Sequence, residues 1–203
     1  MESLKTAASP GRPRAFCVAQ ALDRALQVFW EKGYEGASLS DLTAAMGINR
    51  PSLYAAYGNK EELFRKALAR YAQNVESFLG EHLARPTARE AVESLLGALV
   101  DALSCPDNPQ GCLTVRCHLA GTEAAESVRH ELARQRQRSE ALLRGRLEQA
   151  QAEGELPAGA DPGDLARYFA TVQQGMSVQA AGGATHEQLR GVVRTALAAW
   201  PGR

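Results

Sequence analysis

The chain has 203 residues, 45% of them hydrophobic and 23% charged, enough to bury a core without staples and too apolar for wholesale disorder. No run of ~18 apolar residues is present, so no membrane-spanning helix is expected, and the opening MESLKTAASPGRPR lacks the apolar stretch of a secretory signal. The 23 basic and 23 acidic residues balance, which argues against a general polyanion binder.

Charge is nevertheless uneven. Residues 1–70 hold ten Lys/Arg against seven Asp/Glu, and the remainder thirteen against sixteen. Lys5, Lys32, Lys60 and Lys66, the four lysines, all fall in the first third. A mildly basic head on a mildly acidic body suits a head that meets phosphate. Four cysteines, Cys17, Cys105, Cys112 and Cys117, are too few and too clustered for a secreted disulfide framework. A reducing cytoplasm is expected.

Residues 1–14, with Pro10, Gly11 and Pro13, read as a flexible basic arm. Ala21, Leu22, Ala25, Leu26, Phe29 and Trp30 then recur at spacings of three and four, one face of an amphipathic helix that Gly33 closes. Ser38 with Asp41 three residues on is a capping-box-like start for a two-turn helix carrying Leu39, Leu42, Ala45 and Met46. Gly47 stops it, and Ile48 is set for the apolar contact that accompanies a glycine C-cap. Asn49 or Arg50 caps the next helix, with Pro51 tolerated in its first turn, Leu53 and Tyr57 facing inward, and Gly58 and Asn59 closing it.

From Lys60 a longer helix is predicted to about residue 79, with Leu63, Phe64, Ala67, Leu68 and Tyr71 on one side. Pro86 breaks the link to a helix over 88–103. A turn-rich loop from Cys105 to Gly111 follows, then a short helix over 112–120 and a long one over 128–152. Asp161-Pro-Gly-Asp164 opens a helix to about residue 181, Gly182-Gly183 turns the chain, and residues 189–200 form a final amphipathic helix. About nine helices, with no strand or internal repeat, make the fold class all-α.

Residues 38–60 form the informative unit: a short helix, a glycine turn and a second short helix. Ala45 is the small residue needed where two helices cross closely. In a helix-turn-helix of this kind the second helix enters the major groove. Its outward side chains would be Arg50, Pro51, Ser52, Tyr54, Ala55 and Ala56. Arg suits a bidentate contact to guanine and Pro an apolar contact to a thymine methyl, while the Ser52 and Tyr54 hydroxyls suit phosphate. Lys60 opens a helix, where phosphate also binds. A simple packed αα-hairpin would use the same inward residues.

The stretch from Gly33 to Leu63, GYEGASLSDLTAAMGINRPSLYAAYGNKEEL, resembles the DNA-binding signature of the TetR/AcrR family of bacterial transcriptional repressors. The opening glycine, the serine starting the short helix, Gly-Ile after it, Leu-Tyr in the recognition helix and Lys-Glu-Glu-Leu carry the resemblance. It implies a helix-turn-helix domain over 15–74 and an effector-binding, dimerising domain over 75–203. By position, Arg50 and Pro51 correspond to base-reading residues, and Ser52, Tyr54 and Lys60 to phosphate-contacting ones. Ser38 and Ser40 correspond to the start of the supporting helix. Arg12 and Arg14 resemble arms that reach the minor groove, or else belong to a solubilising tail. Cys17 departs from the acidic or hydroxyl cap common in related sequences.

The resemblance further implies a palindromic double-stranded DNA operator, a homodimer formed through the last two helices, and release from DNA by a small-molecule effector. Ala166, Ala170, Gly175 and Ala180, with Val172 and Met176, would allow close packing against a partner. Inward residues of the middle helices, Leu96, Leu99, Val115, Leu143, Tyr168, Phe169 and Met176, are the candidate pocket, or are simply core. The expected setting is the bacterial cytoplasm, with the protein associated with the nucleoid when bound.

Cys105, Cys112 and Cys117 fall within thirteen residues, beside His118. Buried structural thiols are one reading. A redox or electrophile sensor at Cys112, which follows Gly111 at a helix start, is the alternative. A metal site is disfavoured, since Cys112 and Cys117 diverge around a helix and no CxxC is present. His82, His118, His130 and His186 are scattered and no catalytic or cofactor motif is present, so neither an enzyme nor a bound cofactor is expected.

Overall fold

Side-chain caps in the sequence start most of the helices. The computed structural model describes residues 17–106, 108–109, 111–115 and 126–202. Within them lie eight helices and no strand: α1 (Val18–Gly36), α2 (Leu39–Met46), α3 (Arg50–Tyr57), α4 (Lys60–Leu83), α5 (Ala88–Ser104), α6 (Glu126–Ala152), α7 (Pro162–Ala181) and α8 (His186–Ala198). The all-α expectation holds. The basic arm with Arg12 and Arg14, and Cys117 with His118, lie outside the described residues. Of the short helix expected over 112–120, residues 113–115 are helical and 116–120 also lie outside.

Reciprocal capping boxes start α2 (Ser38 with Asp41), α4 (Asn59 with Glu62), α5 (Thr87 with Glu90) and α8 (Thr185 with Gln188). Asn59 therefore opens α4 rather than closing α3. Its side chain accepts from the Glu62 N–H at 2.9 Å while Glu62 accepts from the Asn59 N–H at 2.9 Å. α4 also runs one turn past the expected residue 79, to Leu83. Leu79 is buried and Leu83 packs on the second core, so burial carries the helix on. At α1 the departure of Cys17 has its consequence: it holds the N-cap position without a side-chain cap bond.

Two apolar cores share α4. The first joins α1 to α4 around Phe29, Leu42, Leu53, Tyr57, Leu63 and Phe64. The Phe64 ring meets Phe29 edge-on at 5.0 Å and Tyr34 at 5.1 Å. Leu113, and Val128 and Leu132 from the start of α6, also enter this core. The second core lies among α5, α6, α7 and α8, built from Val92, Leu96, Leu147, Phe169, Met176 and Leu189. The two cores are thus joined through α4 and α6.

Candidate nucleic-acid interface and body cavity

The turn between α2 and α3 is made by a glycine-terminated helix end. Gly47 takes a left-handed conformation (φ +67°, ψ +32°), which an L side chain would resist. Its N–H bonds Ala44 O at 3.2 Å and the Ile48 N–H bonds Thr43 O at 3.1 Å, the Schellman pattern. Ile48 then packs on the first core, as its position predicted. Asn49, not Arg50, caps α3: its side chain accepts from the Ser52 N–H at 2.9 Å.

With Leu53 and Tyr57 buried beneath it, α3 turns its other face outward. Arg50, Pro51, Tyr54 and Ala55 are exposed, with Tyr54 at 49%, and Ser52 is half-buried. No hydrogen bond or ion pair engages Arg50 among the described residues. Ser38 and Ser40, at the start of α2, are exposed too. The expected DNA-contacting residues on α2 and α3 are thus exposed apart from the half-buried Ser52.

Several contacts that sequence reasoning missed brace this helix pair. The Tyr57 hydroxyl donates to Val18 O at 2.7 Å, tying the end of α3 to the start of α1. Lys66 Nζ donates to Tyr57 O at 3.0 Å, placing a cation at the C-terminal end of α3. Lys32 Nζ pairs with Asp41 at 2.7 Å. Hydrogen bonds from Lys32 first, then from Ser38, pull the Asp41 carboxyl down to about 2. These partners are 9 to 39 residues apart, so no local pattern announces them.

Lys60 is more constrained than its position suggested. Nζ lies 4.7 Å over the Tyr34 ring and 3.4 Å from Glu35 O. Burial lowers its pKa, partly opposed by Glu35. Its first partners are thus within the head.

Between head and body lies a cavity of about 310 Å³. Its walls come from α4, α5, α6 and α7, and from residues 108–109, 111–112 and 114–115. Of the candidate pocket residues, Leu99, Val115 and Leu143 line it. Leu96, Phe169 and Met176 instead fill the second core, and Tyr168 is 39% exposed on the surface. Helical periodicity marks an inward face but does not say whether that face meets a neighbour or a gap. Two further walls come from the head side. Trp30 donates from Nε1 to Gly111 O at 2.9 Å, and its ring meets Tyr71 edge-on at 5.1 Å.

Cys112 also lines the cavity, half-buried, with its Sγ 3.2 Å from the Tyr71 hydroxyl and 3.1 Å from Thr114 Oγ1. Neither partner is a cation, one of the usual sources of thiolate activation. The sensor-thiol alternative gains no support from this geometry. The small-residue stripe expected to meet a partner subunit is mostly used internally. Ala166, Met176 and Ala180 are buried in the second core, and Ala170 lines the cavity. Of that stripe Val172 packs partly on the second core and Gly175 stays exposed, and α7 and α8 also expose Val178 and Val192, at 46% and 39%. Among the described residues, no helix is long and apolar enough to cross a membrane.

Comparison with known proteins agrees with this architecture. The family model described as bacterial regulatory proteins, tetR family, matches residues 21–67, and that of a tetracyclin repressor-like C-terminal domain matches residues 86–196. The HTH-type transcriptional repressor ComR of Escherichia coli strain K12 is 36% identical over 198 residues, covering 95% of this chain and 93% of ComR. A solved structure of a cysteine variant of the TetR family transcriptional regulator CifR, complexed with 26-base-pair double-strand operator DNA, is 47% identical. It superposes with a TM-score of 0.91 over 94% of this chain and 100% of that one. A TetR transcriptional regulator from Rhodococcus sp. RHA1 is 42% identical, with a TM-score of 0.62 over 90% of this chain and 98% of that one.

Proposed function

The chain belongs to the tetR family of bacterial regulatory proteins, and we propose that it is a homodimeric, ligand-responsive repressor whose paired α3 helices read a palindromic operator. One observation carries this most directly. Arg50, Pro51 and Tyr54 stand exposed on a helix whose opposite face, Leu53 and Tyr57, is locked into the head. CifR, whose fold superposes on this one, is solved on operator DNA, which supports the same use of the head here.

In this reading α3 enters the major groove and α2 crosses the backbone. Arg50 donates two hydrogen bonds to guanine and Pro51 packs on a thymine methyl. Ser52, Tyr54, Ser38 and Ser40 contact phosphate or sugar and set the register. Lys60 keeps its place over Tyr34 and adds charge beside the phosphates. Arg12 and Arg14 reach toward the adjacent minor groove. Residues 15–74 act as the DNA-binding head and 75–203 as the effector-binding and dimerising body. The protein works in the bacterial cytoplasm, on the nucleoid when bound, and has no catalytic role.

Two heads must sit one helical turn of DNA apart, ~34 Å, or a multiple of it. The exposed apolar face of α7 and α8, around Gly175, Val178 and Val192, is the surface we assign to the partner subunit. Effector control needs a ligand that binds the DNA-free conformation more tightly. The cavity is suited to this because Trp30 and Tyr71 form its walls and belong to the helices that carry the head. Selection of bound sequences from random duplex DNA, followed by footprinting, tests the reading. A two-fold symmetric consensus is expected; uniform coverage without a consensus would refute it.

A further inference from the structure

We propose that the body cavity takes a small, uncharged, mostly apolar molecule bearing a hydrogen-bond acceptor, and that Gln135 of α6 donates the hydrogen bond that selects it. This rests on the reading that the body binds an effector and adds the chemistry of that effector.

Size comes first. At about 310 Å³ the cavity is at the small end of the ~300–1,000 Å³ typical of ligand pockets, room for a single ring or a short branched chain. The aromatic walls Trp30, Tyr71 and Phe78, with Leu95, Leu99 and Leu143, favour an apolar body.

Charge comes second. Two ionic side chains reach the lining, Arg136 and Glu140, one of each sign. Arg136 already donates to Thr114 O at 3.2 Å, and Glu140 is paired with Arg167 at 3.3 Å. With one positive and one negative side chain, the lining itself carries no net charge to offset a charged ligand, and burying an uncompensated charge is costly.

Polarity comes third. Gln135 lines the cavity, is only 4% exposed, and its side-chain Nε2 has no hydrogen-bond partner among the described residues. Buried amide donors are rarely left so, and an unpaired one costs free energy that a ligand acceptor recovers. The hydroxyls on the lining bond elsewhere: Ser139 donates to Gln135 O at 3.2 Å, and Thr114 Oγ1 lies 3.1 Å from Cys112 Sγ. A carbonyl, ether or similar oxygen is the fitting partner for an N–H donor.

The test uses the full-length protein and three probes of one size: acetophenone, its carbon isostere α-methylstyrene, and benzoate. Titration calorimetry should show acetophenone binding roughly tenfold tighter than either of the others, ~1.4 kcal/mol. Gln135→Leu, and Gln135→Met as a second variant of similar volume, should erase the preference over α-methylstyrene without weakening the hydrocarbon. Equal binding of ketone and hydrocarbon by the wild type, benzoate as the tightest ligand, no binding of any probe, or a preference that survives in both variants would overturn the proposal. Release of operator DNA is read separately by anisotropy. If acetophenone binds in the expected pattern while DNA stays bound, the assignment of the cavity's chemistry stands and the effector reading is what fails.

Discussion

Replacing Trp30 with Phe isolates the link between head and cavity. The ring is kept, so the edge-on packing against Tyr71 at 5.1 Å is largely preserved. What is lost is the Nε1 donor to Gly111 O at 2.9 Å. Gly111 is buried, and no other hydrogen bond to its carbonyl is seen among the described residues. Leaving a buried acceptor unsatisfied costs ~1–3 kcal/mol, more than the net worth of an average hydrogen bond. For a chain of this length each kcal/mol moves the unfolding midpoint by about 2–4 °C, so ~2 kcal/mol gives about 4–8 °C. The assay is thermal unfolding followed by circular dichroism, at one protein concentration because a dimer's midpoint depends on it. Operator affinity without ligand should change little, since α3 is held by the first core, not by Gly111. An unchanged midpoint would mean that this bond does not hold Gly111 and the residues after it to the head. A large loss of ligand-free DNA binding would mean that the head is positioned through the cavity wall and not by its own core.

Further outcomes follow from the same geometry. Arg50→Ala should cost ~1–3 kcal/mol of operator affinity and relax one base pair of specificity; a uniform loss over all sequences would show that Arg50 does not read a base. Lys60→Ala should lower the slope of log affinity against log salt by about one if Lys60 meets phosphate, and leave it unchanged if its contacts with Tyr34 and Glu35 are its whole role. Asp41 should titrate near 2 by NMR, and Lys32→Met should raise it toward the ordinary 3.8. Because the folded-state value is depressed, the capping contribution is intact above about 3.8 and fades as pH falls through about 2, so a cap lost at neutral pH would contradict the assignment. Val192→Asp should convert dimer to monomer in sedimentation and abolish operator binding while leaving the subunit folded, because Val192 faces outward and not into the second core.

Interactions within about four residues determined what could be read from the chain alone. Ser38 with Asp41, Gly47 with Ile48, and Asn49 before Pro51 each satisfy backbone groups locally, so α2, the turn and the start of α3 to within a residue follow from order and spacing. The outward set Arg50, Pro51 and Tyr54 follows equally, once Leu53 and Tyr57 are seen to face inward. Gln135 left a fainter trace: it is the polar member of a buried stripe, Val128, Leu132, Gln135, Leu143. Which inward residues form a gap was decided by tertiary structure. Leu96 and Leu99 sit on one helix face, yet Leu96 is filled in by core and Leu99 borders open space. The cavity is bounded by segments from Trp30 to Ser177 in the chain. A void exists only where several surfaces fail to meet, and periodicity along any one helix carries no term for the helix opposite.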